Sequence, residues 1–171
     1  LLDLCRSMEA AGLAHAREST NWTEVVRAVE TATRELRLAS AAVARMPGQK
    51  ATFHAIPEPE QFDAALDALV QTLDRAVALL GVVAEKHPDL AAVSRTALEL
   101  RARLFQWSQP DRHGNDALAD SRKEAGEAVR WLEHGSHHLR LHSAPLSVAK
   151  IFSRYRRDDQ AWVLTSATLS V

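Results

Sequence analysis

Apolar positions along the first two thirds of the chain recur at steps of three and four, the spacing of one face of an α-helix. Leu1, Leu4, Met8, Ala11 and His15 form the first stripe, and Gly12 inside it slightly weakens the helix. Ser19-Thr20-Asn21 interrupts the pattern. Asn21 stands three residues before Glu24, an N-terminal capping arrangement. The second stripe is Trp22, Val25, Val29, Ala32, Leu36, Ala39 and Val43, a heptad-like seam. The opposite face carries Arg27, Glu30, Arg34 and Arg37, with Glu30 and Arg34 spaced for an i,i+4 pair. Pro47-Gly48 is expected to end this helix, and Gln49 to Pro59 reads as an extended connection.

A third helix is expected from Pro59 or Glu60, since proline fits the first turn. Its stripe is Phe62, Leu66, Leu69, Leu73, Ala76, Leu80 and Val83. It ends at Lys86-His87-Pro88, where basic residues suit the negative end of the helix dipole. A fourth, from Asp89, carries Leu90, Val93, Ala97, Leu100, Leu104 and Trp107. Successive seams joined by short breaks predict an antiparallel helical bundle with coiled-coil-like packing. Trp22 and Trp107 lie on the seams and are read as core residues rather than base-stacking ones. Cys5, beside the first stripe, is read as a small buried apolar residue.

Beyond Pro110 and Gly114 the period changes from helical to alternating. Val129 and Trp131 alternate with Arg130, which reads as a strand over 128–133 with Trp131 facing a core. After a turn at Gly135-Ser136, Leu139 and Leu141 alternate with His138, Arg140 and His142 in a second strand over 137–143, ended by Pro145. A short helix over 148–155 follows, with Ser147 as N-cap. A last strand opens at Ala161-Trp162-Val163-Leu164, four apolar residues in succession, as in a strand buried on both faces. The order is thus a mainly α chain, a helical bundle followed by β-β-α-β. A lone buried strand at the chain's end needs neighbours for its backbone groups, so the chain reads as an excerpt of a longer protein.

Composition narrows the picture only a little. The 171 residues carry a formal net charge of -1, so bulk charge points to neither nucleic acid nor membrane. Locally the stretch from Ser136 to Arg157 has no acidic residue, while Arg140, Lys150, Arg154, Arg156 and Arg157 are basic. That suits a nucleic-acid-facing patch as well as a solvated face. Cys5 is the sole cysteine, which excludes internal disulfides and any cysteine cluster site built from this chain alone. A cytoplasmic location fits, and nothing here reads as a membrane span. His134, His137, His138 and His142 diverge across a strand with no carboxylate or cysteine among them, so no metal site is expected from them.

Three blocks carry a family resemblance: Val129-Arg130-Trp131-Leu132-Glu133; Leu141-His142-Ser143-Ala144-Pro145-Leu146-Ser147-Val148-Ala149-Lys150-Ile151-Phe152; and the stretch from Ala161 to Val171. Together they resemble the DinG/XPD-type superfamily 2 DNA helicases, most of all the bacterial YoaA/DinG branch. Thr165-Ser166-Ala167-Thr168-Leu169 is similar to helicase motif III of that family. The resemblance covers about the last forty residues; the helical region has no motif of its own. It implies that residues 1–117 form an Arch-like helical insert. It implies equally that residues 118–171 form the returning part of the first RecA-like motor domain. The parent would be an ATP-dependent 5′-to-3′ DNA helicase of repair or replication, with single-stranded DNA threaded past the Arch. ATP, magnesium and a 4Fe-4S cluster are implied for that parent, together with a replication or repair protein as a possible partner.

This chain has no G-x-x-x-x-G-K-[ST] loop, no DEAH box and no set of cluster cysteines, so by itself it is expected to be catalytically inactive and free of cofactor. Thr165, Ser166, Ala167 and Thr168 would couple hydrolysis to movement at the carboxyl end of a buried strand; the alternative is that the hydroxyls cap a following helix or turn. Arg27, Arg34, Arg37, Arg101 and Arg103 are candidate DNA-phosphate contacts, the alternative being solvated helix faces. The competing reading of the whole chain is a helical protein–protein interaction module with no catalytic role.

Overall fold

The computed structural model describes residues 1–109 and 128–145, and the expected helix over 148–155 and strand over 161–164 lie outside them. Among the described residues the chain is mainly helical, with one small antiparallel sheet. The helices are α1 (Leu2–His15), α2 (Trp22–Ala39), α3 (Pro59–Val83) and α4 (Pro88–Ser108), and the strands are β1 (Lys50–Thr52), β2 (Ala128–His134) and β3 (Leu139–Pro145).

Each helix packs on two neighbours in a closed ring, α1 on α2, α2 on α3, α3 on α4 and α4 on α1. Contacts between helix ends give the directions. Glu9 accepts from the Thr23 hydroxyl at 3.0 Å, Lys86 reaches Ser19 at 3.0 Å, and His15 lies 3.4 Å from Asp89. The C-termini of α1 and α3 therefore meet the N-termini of α2 and α4, in an up-down-up-down bundle. α2 and α4 stand on opposite corners.

The seams become one core. Met8, Trp22, Val29, Phe62, Leu66, Leu69, Leu73, Leu80 and Leu90 are all essentially inaccessible to solvent. Each such side chain contributes about 1.5–3 kcal/mol by leaving water. Trp22, Trp107 and Cys5 are buried as the periodicity predicts. Leu1 and His15, placed on the first stripe by spacing, are exposed at the ends of α1. On α2 the buried residue after Trp22 is Val26, and Val25 packs half-buried at the edge. A straight helix turns every 3.6 residues, so a strict heptad seam drifts off its face.

Two local expectations hold in detail. Asn21 Oδ1 accepts from the Glu24 backbone N–H at 3.3 Å, and Asn21 Nδ2 reaches the Glu24 carboxylate at 3.4 Å. α3 begins at Pro59, in its first turn, as expected; α4 begins at Pro88, a residue expected to close α3, one position before the Asp89 start read from spacing. His87, however, does not serve α3. Its Nδ1 accepts from the Asp89 backbone N–H at 3.2 Å and caps the start of α4.

The largest departures lie between α2 and α3. α2 stops at Ala39 instead of running to Pro47, with Ser40 Oγ donating to the Arg37 carbonyl at 2.9 Å. A 3-10 turn over Ala41–Arg45 follows and still buries Val43. Gly48 has φ of 67°, a left-handed conformation that favours glycine. The supposed plain connection then supplies β1, a 3-10 turn over Phe53–Ala55, and the start of α3.

β1 pairs antiparallel with β2, and β2 with β3, in the order β1-β2-β3. Ala51 faces Leu132, which faces Leu141, so these three share one side of the sheet. That side covers the end of the bundle where α4 finishes, and Leu132 joins the helical core. The strands extend one residue or more beyond the limits read from spacing, to His134 and Pro145, and His137 lies in the turn.

Candidate functional site

The sheet's phase is opposite to the one expected for β2. Arg130, Leu132 and His134 are buried, whereas Val129 is exposed and Trp131 only partly covered. The sequence Val-Arg-Trp-Leu-Glu-His offers an apolar residue on either face, so alternation alone leaves the phase open. What decides it is the open end of α4. Its last carbonyls have no intrahelical donor. Arg130 Nη1 donates to the Trp107 carbonyl at 2.5 Å and to the Gln109 carbonyl. Its guanidinium lies 4.3 Å from the Phe53 ring centre, and Phe53 and Phe62 both meet Trp107 edge-on. Trp107 Nε1 in turn donates to the His142 carbonyl at 2.8 Å. A charge from β2 thus caps a helix of the bundle, a role that nothing in the local spacing announces. His134 is buried on the same face of β2, with no hydrogen-bond partner at either ring nitrogen among the described residues.

The outward side of the sheet is the best-defined candidate surface. Trp131 and His142, directly opposed on β2 and β3, stack with ring centres 4.8 Å apart and planes 3° from parallel. Glu133 sits next to them, 3.6 Å from Lys50, 3.6 Å from His142 and 3.9 Å from Arg140. The aromatic pair is thus bordered by Lys50 and Arg140, whose charge Glu133 partly offsets.

The candidate DNA-contacting arginines do not converge. Arg37 donates to the Ser136 carbonyl in the β2–β3 turn and so ties α2 to the sheet. Arg101 forms a two-bond pair with Asp74 of α3, its Nε 2.5 Å from Oδ1. That hydrogen bond also holds the Arg101 proton more firmly than usual. Arg27, Arg34 and Arg103 are exposed and make no ion pair among the described residues. Arg27 borders a shallow groove between α2 and α3 that Glu24 and Glu35 also line, an unfavourable charge balance for phosphate. Arg27 and Arg34 stand on α2 and Arg103 on α4, on opposite corners of the bundle. The hydroxyls of Thr165, Ser166 and Thr168, with Ala167, lie outside the described residues.

The residues present do not fit a resident iron-sulfur cluster. Cys5 is buried within the α1 seam, and burial pushes its thiol pKa up, disfavouring the thiolate that binds metal. Three other potential ligands meet at the opposite end of the bundle. His15, His87 and Asp89 each offer one donor atom, all within 4.8 Å of one another. Spacing read His15 as a seam residue and His87 as a helix-end cation, so the sequence held no signal that they meet.

Among the described residues, no helix is long and apolar enough to cross a membrane. Comparison with protein-family models, with curated proteins and with solved structures gives no match to this chain.

Proposed function

We propose that the chain is part of an ATP-dependent 5′-to-3′ DNA helicase of the DinG/YoaA type, contributing an Arch-like wall of the single-stranded DNA path and the motif III coupling element. The observation that carries this reading is the sequence block from Leu141 to Phe152 followed by Thr165-Ser166-Ala167-Thr168-Leu169. The bundle's geometry is compatible with an insert, because α1 starts and α4 finishes at the same end of it. In support of the reading, the Trp131–His142 pair has Lys50 and Arg140 beside it, aromatic surface and positive charge of the kind single-stranded DNA uses without sequence preference, with Glu133 offsetting part of that charge. ATP, magnesium and an iron-sulfur cluster would be held by other parts of the parent.

In the full-length protein, Thr165→Ala with Ser166→Ala is expected to lower DNA-stimulated unwinding about 10-fold, equivalent to ~1.4 kcal/mol of barrier, while ATP binding is unchanged. Equal loss of both would overturn the coupling role. The purified chain should hydrolyse no ATP above background, and clear turnover would overturn the excerpt reading.

A protein-docking module is the second reading. Leu98 and Phe105 favour it, being 50% and 41% exposed one heptad apart on α4. Binding of an oligonucleotide that Trp131→Ala abolishes would weigh against it.

A further inference from the structure

We propose that His15, His87 and Asp89 form a binding site for a zinc-class divalent transition metal that clasps the C-terminus of α1 to the N-terminus of α4. The three come from both sides of the α1–α4 interface, one at the last turn of α1 and two at the first turn of α4. Asp89 Oδ2 lies 3.4 Å from His15 Nε2 and 3.5 Å from His87 Nδ1. Ligands about 2.0–2.1 Å from a tetrahedral zinc ion are separated by roughly 3.3–3.4 Å, so the carboxylate already stands at near-coordinating distance from both imidazoles. Two imidazoles and one carboxylate are the donor set that borderline metals prefer over calcium or magnesium, and three protein ligands leave a position for water.

The site is built but not closed. The two rings stack face to face, 3.5 Å between centres and 8° from parallel. A nitrogen lone pair lies in the plane of its ring, so coordination requires the rings to splay by rotation about their Cβ–Cγ bonds. Both side chains are partly exposed, at 29% and 38%, which leaves room for that rotation and for an ion to arrive from solvent. The metal also takes the lone pair by which His87 now caps α4; the Asp89 backbone N–H it releases faces solvent at the exposed helix start. The ion then replaces a hydrogen bond within one helix by a bond between two helices. The site is independent of the sheet face and of the helicase reading.

Titration of zinc chloride into chelator-treated protein, followed by calorimetry, tests the proposal. One equivalent is expected to bind with a micromolar or lower dissociation constant. Zinc at about 100-fold above that constant should raise the melting temperature by roughly 5–10 °C. His15→Ala, Asp89→Asn and His87→Asn, the last keeping a cap acceptor, should each weaken binding about 10-fold or more. Circular dichroism of the same variants without zinc checks that the bundle is intact. Absence of saturable binding would overturn the site. So would affinity unchanged in His15→Ala but lost in His137→Ala with His138→Ala, which would place the ion at the β2–β3 turn.

Discussion

The two ends of the bundle are each closed by a tryptophan whose indole N–H donates to a backbone carbonyl at 2.8 Å, yet they are built differently. Trp22 reaches the Ala16 carbonyl, six residues back, and lies against Gly12 of the preceding helix. Both of these contacts lie within one helix–turn–helix segment. Trp107 reaches the His142 carbonyl, 35 residues on, and depends on Phe53, Phe62 and Arg130 from three other parts of the chain. The first end is a local device and the second a long-range one. Contacts that close a longer loop cost more entropy, so the second end is expected to form more slowly than the first.

The sharpest way to break this contrast is at Arg130. Arg130→Met keeps much of the buried stem but leaves the Trp107 and Gln109 carbonyls without their donor. A loss of about 2–4 kcal/mol is expected in urea denaturation. Hydrogen exchange should rise in β1–β3 and the last turn of α4 while the Trp22 end stays protected. Uniform loss of protection would show that the two ends are one cooperative unit.

A smaller effect is expected at Gly12. In an open helix Gly→Ala would stabilise by about 1 kcal/mol. Here a Cβ would fall 2.3 Å from Trp22 Cδ2, so the indole must move. Gly12→Ala should therefore destabilise by about 1–3 kcal/mol. In a Trp22→Ala background, itself costly, the same substitution should turn stabilising, and a double-mutant cycle would read the change of sign. Additive effects would mean that Gly12 and Trp22 do not constrain each other.

The smallest effect is at the cap. Asn21→Ala removes the acceptor for the Glu24 N–H and is expected to cost about 1 kcal/mol, with exchange faster only at the start of α2. Spread of that loss to the sheet would show that even this end is not locally specified.

How much of the molecule was legible follows the same division. The four helices, most of their seam residues, the Asn21 cap, the Pro59 start and the burial of Trp22, Trp107 and Cys5 could be read from spacing, because each depends on residues within a few turns. The end of α2, the existence of β1 and the phase of β2 could not. A three-residue strand carries almost no periodicity, and Lys50–Thr52 is a strand only because β2 pairs with it. The candidate sites fared likewise. Arginines chosen for lying on polar helix faces are divided by the bundle between opposite corners, with Arg37 and Arg101 taken up in holding elements together.

By itself, then, the sequence determined a four-helix bundle and the face each helix buries, since a period of 3.6 residues and an end-capping side chain act within a single element. Only the tertiary structure decided that Arg130 goes in and Trp131 out, and that His15 meets His87 and Asp89. The physical reason is the same in both cases. An unsatisfied helix end, or the meeting of two helix termini, is created by packing, and no residue's neighbours in sequence can announce it.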